Sequence, residues 1–172
     1  MALPASLPGL TQIEAIKDAL YRVLAGFDRN DPDMFSSAIA EGDHVTMELH
    51  DGSGMPPFKG RSAILTDVFG FVSSLDTTHM ASNVRVLARD DNKASLNCFV
   101  SAQHAPAGRG REPTGPKYHV GVEFEMHLVR DAADGLWKIE MWIARTLWAN
   151  GDADVMKPPT KSTESAEEKL GP

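Results

Sequence analysis

The second half of this chain does most to constrain its fold. Val120, Val122, Phe124, Met126 and Leu128 alternate with His119, Gly121, Glu123, Glu125 and His127. A period of two sends one set to each face of a strand, so the run reads as a strand buried on one side. Together with its neighbours it gives four long strand-like runs, at about 79–89, 93–104, 118–130 and 136–148. Asp90-Asp91-Asn92 and Ala132-Ala133-Asp134-Gly135 are turn clusters between them, and residues 105–117 hold three prolines and three glycines, which makes a loop. Long strands in this succession pair as antiparallel hairpins, and the apolar face of such a sheet must be covered.

The first half supplies the cover. Thr11-Gln12-Ile13-Glu14 is a capping box, in which the Thr hydroxyl and the Glu carboxylate each satisfy a free N–H of the first turn. Ile13, Ile16, Leu20, Val23, Leu24 and Phe27 follow at spacings of three and four, one buried stripe of a helix over about 11–28. Asp31-Pro32 starts a short second helix that runs to about residue 40. Val45, Met47 and Leu49 alternate as a strand, broken by Asp51-Gly52-Ser53-Gly54 and Pro56-Pro57. Ile64, Leu65, Val68, Phe69 and Val72 place a third helix within 60–75.

The 172 residues suit one domain, and 42% hydrophobic content is enough for a core. Residues 1–9 read as an N-terminal extension and 10–150 as the domain. Residues 151–172 are rich in Pro, Lys, Glu, Ser and Thr, either a solvated tail or a flap over a pocket mouth. The formal charge of −7, with no basic stripe, disfavours nucleic acid and anionic membrane as partners. No apolar run approaches the roughly 20 residues of a membrane span, and Met1 to Gly9 lacks the features of a secretory signal. Cys98 is the one cysteine and lies in an apolar run, where a buried, inert thiol is expected. A cytoplasmic setting fits these features.

Few residues stand out for chemistry. Asp28 sits at the edge of the first helix's stripe, near a C-terminus whose dipole disfavours an acid. His79 opens a strand about fifty residues later. An imidazole with its pKa near 6.5 can act as base or acid, and a carboxylate beside it can fix its tautomer. Tyr21 lies two helical turns before Asp28 and either offers a hydroxyl to a substrate or packs. His104 and Tyr118 flank the Pro/Gly-rich loop, as pocket-mouth residues or as ordinary strand ends. His119, Glu123, Glu125 and His127 share one strand face. Same-face neighbours are about 6.5–7 Å apart, too far for one ion to gather all four, so no metal is expected. Glu123 remains a candidate pocket acid, because the alternation does not fix which face is concave. Trp137, Trp142 and Trp148 read as core and interface. Gly108-Arg109-Gly110-Arg111 lacks the helix and the Lys-Ser/Thr pair of a phosphate loop.

Four stretches, taken in order, resemble the SnoaL-like branch of the nuclear-transport-factor-like superfamily. They are Phe27-Asp28-Arg29-Asn30-Asp31, Phe58-Lys59-Gly60-Arg61-Ser62-Ala63-Ile64, Thr78-His79-Met80-Ala81-Ser82-Asn83, and Gly135-Leu136-Trp137-Lys138-Ile139 with Trp148-Ala149-Asn150-Gly151. That branch includes scytalone dehydratase, bile-acid dehydratase and polyketide cyclases, and the resemblance covers about residues 10–150. It implies an α+β fold, a curved antiparallel sheet wrapped around three N-terminal helices as a cone with an internal pocket. It also implies dimerisation through the sheet, and acid–base chemistry by an Asp–His pair at Asp28 and His79 without metal or cofactor. Several helpers differ. Phe27 stands where a Tyr is frequent, Cys98 where a second pocket histidine is expected, Trp142 near the place of an Arg, and Phe124 near that of a Tyr. Phe27, Phe124 and Trp142 would give an apolar wall suited to a polycyclic ligand.

The expected function is therefore a cofactor-independent dehydratase, cyclase or isomerase acting on a polycyclic secondary metabolite. The alternatives are a non-catalytic small-molecule-binding or dimeric adaptor module, and an accessory subunit docked on a larger enzyme by its sheet.

Overall fold

The computed structural model describes residues 4–157. Helix α1 (Gln12–Arg29) opens with the capping box, Thr11 Oγ1 accepting from Glu14 N–H while Glu14 accepts from Thr11 N–H at 2.8 Å. Its buried face runs through Ile16, Leu20, Val23, Leu24 and Phe27. Ile13, expected at the head of that stripe, is instead exposed in the first turn of the helix. Asn30 ends α1 in the left-handed conformation, and α2 (Pro32–Ser37) follows at once with Asp31 as its N-cap. Gly26 lets the two helices meet, since a Cβ there would stand 2.6 Å from that of Phe35. Residues 61–72 form α3, which is α-helical at Arg61–Ala63 and Gly70–Val72 and π-helical at Ile64–Phe69 between them.

The sheet has six strands: β1 (Thr46–His50), β2 (Phe58–Lys59), β3 (Asp76–Ala88), β4 (Lys93–Ala105), β5 (Tyr118–Arg130) and β6 (Trp137–Gly151), in the spatial order β2-β1-β6-β5-β4-β3. The four long strands form the expected antiparallel meander. β1 joins it parallel to β6, so the curved sheet is mixed. Register shifts interrupt β3 between Ser82 and Arg85, and β5–β6 at Gly121/Val122 and His127/Leu128. Bulges of this kind increase twist and bend a sheet.

The concave face carries Leu96, Cys98, Val100, Phe124, Met126, Leu128 and Trp142, all buried against α1, α2 and α3. One buried cation ties three elements together. Arg22, 3% exposed, pairs with Asp18 at 2.8 Å and donates to the carbonyls of Ser37 and Trp137. This α+β cone is the fold expected from the sequence. None of its described helices is long and apolar enough to cross a membrane. After β6 a 3₁₀ turn, Ala153–Met156, folds back with Val155 buried. The rest of the expected tail, residues 158–172, lies outside the described residues.

Candidate active site

β3 starts three residues before the expected position, so His79 lies inside the strand rather than at its head. Position 79 is on the concave side, directly beside the C-terminal turn of α1. There the Asp28 carboxylate accepts three hydrogen bonds: from Thr77 Oγ1 at 2.8 Å, from His79 N–H at 2.9 Å, and from His79 Nδ1 at 2.6 Å. The His79 side chain is 7% exposed and that of Asp28 23%. Burial alone would push the Asp28 carboxyl up. The ring and backbone N–H of His79, the His79 charge and the Thr77 hydroxyl outweigh it and hold Asp28 below the usual carboxylate range. An ionised carboxylate only accepts, so the proton of a neutral His79 sits on Nδ1 and the lone pair on Nε2. The unfavourable acid at the helix end is thus stabilised by its strand partners.

His79 faces a chamber of about 550 Å³. Phe27 stacks on the imidazole with ring centroids 5.4 Å apart. Phe124 and Trp142 pack edge to face at 4.9 Å and close the far wall, with Val100, Val122 and Met47 beside them. The volume lies within the roughly 300–1,000 Å³ of small-molecule sites. Met156, from the turn after β6, also lines this chamber.

His104, at the end of β4, stands 5.4 Å from the His79 ring, edge to face, and Tyr118 pairs with it across β4–β5. The resemblance set Cys98 where a second pocket histidine is expected; the histidine beside His79 in this structure is His104, six residues further along β4. Cys98 is deep in the core, where burial pushes its thiol up to about 12. Burial, and then the nearby His79 charge, push His104 down to about 4, so it is neutral near pH 7. Its Nδ1 is sealed and has no hydrogen-bond partner among the described residues.

Two candidates fall outside the chamber. Tyr21 is 47% exposed, on the part of α1 that looks to solvent. Glu123 is on the convex face, with Arg145 3.8 Å away, because the apolar set Val122 and Phe124 claims the concave side. His119, Glu125 and His127 share that outer face: His119 bonds Ser101 at 2.9 Å and Glu125 pairs with Arg145 at 2.9 Å. Among the described residues no group of three or more His, Cys, Asp or Glu is arranged to hold a metal ion.

A second, polar cavity of about 760 Å³ adjoins the site. Asp28, His104, Arg29, Arg111 and Lys117 line it. Sequence reasoning missed it because the loop of residues 106–117 folds back onto the head of β3. The Asp76 carboxylate there accepts from Gly108 N–H at 3.1 Å and Gly110 N–H at 2.7 Å.

Comparison with known proteins identifies the family and the fold. The sequence profile of the SnoaL-like domain matches residues 8–143. Terrestric acid biosynthesis cluster protein E of Penicillium crustosum is 37% identical over 152 residues, covering 88% of this chain and 94% of that protein. Among solved structures, a scytalone dehydratase-like protein of Novosphingobium aromaticivorans aligns with a TM-score of 0.67 at 18% identity, over 82% of this chain and 87% of the other. A hexachlorocyclohexane dehydrochlorinase of Novosphingobium barchaimii aligns with a TM-score of 0.60 at 17% identity, over 84% and 92%. At these identities the structural likeness establishes the fold.

Proposed function

The chain belongs to the SnoaL-like family, and from that premise we propose that it is a cofactor-independent acid–base enzyme, a dehydratase, cyclase or isomerase acting on a polycyclic secondary metabolite. The observation that carries this reading is the 2.6 Å bond between Asp28 and His79 Nδ1 at the wall of an apolar chamber. It leaves Nε2 as a base toward the chamber, and Asp28 stabilises the imidazolium that forms, as a carboxylate does in a hydrolase triad.

In a dehydration, Nε2 takes a proton from a carbon beside a carbonyl. The electrons of that C–H bond form the new double bond, and the neighbouring C–O bond breaks. The imidazolium hands the same proton to the departing hydroxyl, water leaves, and His79 is restored. In an isomerisation the proton returns to a different carbon. Neutral His104 is placed to donate an N–H to a substrate oxygen without adding charge, a role a neutral imidazole fills well. Proton transfer of this kind contributes roughly 10²–10⁴-fold, and positioning in a water-poor chamber adds to it.

The metabolite class draws on the relative from a terrestric acid biosynthesis cluster and on the aromatic walls. The proposed setting is cytoplasmic, and the proposed assembly is a homodimer through the convex sheet face, where Met80, Phe99 and Trp148 are exposed. The apolar walls at Phe124 and Trp142 also favour a second reading, a carrier that binds such metabolites without converting them. Mass spectrometry of a metabolite extract from the source organism, incubated with wild type, His79→Ala or Asp28→Asn, separates the two. Loss of one water, or a retention change at constant mass, with wild type alone supports the enzyme. A metabolite bound equally by all three proteins and never converted supports the carrier.

A further inference from the structure

The polar cavity beside the chamber has an uneven charge balance. Its two carboxylates are already engaged, Asp28 by His79 and Thr77 and Asp76 by the N–H groups of Gly108 and Gly110. Lys117 is engaged too, with Nζ donating to the carbonyls of Arg109 and Glu112. Arg29 and Arg111 make no side-chain hydrogen bond or ion pair with any described residue. Both are exposed and both line this cavity. In a chain of net charge −7, two guanidinium groups with no hydrogen-bond partner among the described residues, Arg111 acting on Asp76 only through its charge, are a local reversal of sign beside a candidate catalytic pair. The two cavities also meet: Asp28 lines the polar one, His79 the apolar one, and His104 both.

We propose that the polar cavity is an anion subsite, in which Arg29 and Arg111 hold a carboxylate or comparable acidic group of a substrate whose apolar body fills the chamber. Guanidinium suits this task, because its planar array of donors matches a carboxylate's two oxygens. The subsite sets which end of an amphipathic acid points outward, and so which carbon reaches His79 Nε2. Arg111 is held in place by the Asp76 contacts to Gly108 and Gly110, which fold the loop over the cavity. This inference rests on the reading that the chamber receives the apolar body, but its test needs no turnover.

Two fluorescent probes with the same ring system provide that test: 8-anilinonaphthalene-1-sulfonate, an anion, and uncharged N-phenyl-1-naphthylamine. Each is titrated into wild type and an Arg29→Gln/Arg111→Gln double variant, with near-ultraviolet circular dichroism as a check that the fold is kept. Wild type is expected to bind the sulfonate roughly five-fold more tightly than the neutral probe, as two partly exposed ion pairs would give. Added salt should erode that preference, and the double variant should abolish it. Equal binding of both probes by wild type, no binding of the sulfonate, or a preference that survives in the folded double variant would overturn the anion subsite. Loss of conversion in His79→Ala bears on the acid–base reading alone, so the two ideas fail separately.

Discussion

His104 should make this fold sensitive to mild acid. In the native protein its imidazole is buried between the chamber and the polar cavity, and its pKa is pushed down to about 4. In the unfolded chain it returns to near 6.5. Between those values the unfolded state binds a proton at residue 104 that the folded state does not, so stability falls as the pH falls. The loss begins as the pH drops below the unfolded value and ends near the folded one. Each pH unit in that window costs about 1.4 kcal/mol, so going from neutrality to about pH 4.5 should remove on the order of 2–3 kcal/mol through this one group. Urea unfolding of wild type and His104→Phe at both pH values isolates it, because the other titrating groups act in both proteins. The wild type should lose about 2–3 kcal/mol more than the variant across that interval. Equal losses would refute the claim that His104 is held neutral by burial.

Two further perturbations test the scaffold that positions the site. Arg22→Ala leaves the carbonyls of Ser37 and Trp137 without their donor and Asp18 without its partner, and should cost about 3–5 kcal/mol in the same unfolding assay; a change under about 1 kcal/mol would mean that water replaces the guanidinium readily. Gly26→Ala forces a Cβ against Phe35 at the α1–α2 contact and should lower stability by about 1–3 kcal/mol. An unchanged melting temperature would show that the two helices slide apart freely.

The sequence carried the elements further than it carried the site. The capping box at Thr11 and the alternation from Val120 to Leu128 are local patterns, and both recur in the structure with nearly the expected bounds. The parallel β1–β6 pairing joins residues almost a hundred positions apart, and nothing in Thr46–His50 itself names that partner. The Asp28–His79 pair was legible through the resemblance to the SnoaL-like branch, and the acid at a helix C-terminus, which breaks a local preference, added only a weak hint. Tyr21 was misplaced because seven residues return to the same side of a helix but also move two turns along it, away from the site and out to solvent. Glu123 stayed open only until the concave face was known, and the buried Val122 and Phe124 settle it. His104 was read, with Tyr118, as either a pocket-mouth residue or an ordinary strand end. Its place beside His79 follows from strand register, with Thr77 opposite His104 and His79 opposite Ala102 across β3–β4. The polar cavity depends on a loop bonding to Asp76, and no periodic pattern encodes such a contact.

The most direct measurement of the central claim is solvent exchange at carbon. The metabolite extract is incubated in deuterium oxide with wild type and with His79→Ala, and the recovered and converted species are weighed by high-resolution mass spectrometry. If His79 Nε2 takes a carbon-bound proton, wild type should either install a non-exchangeable deuterium, where the proton returns to carbon, or give an unlabelled product lighter by one water, where it leaves with the hydroxyl; His79→Ala should do neither. Deuterium incorporation or loss of water that persists in His79→Ala would contradict the account and move the base elsewhere in the chamber.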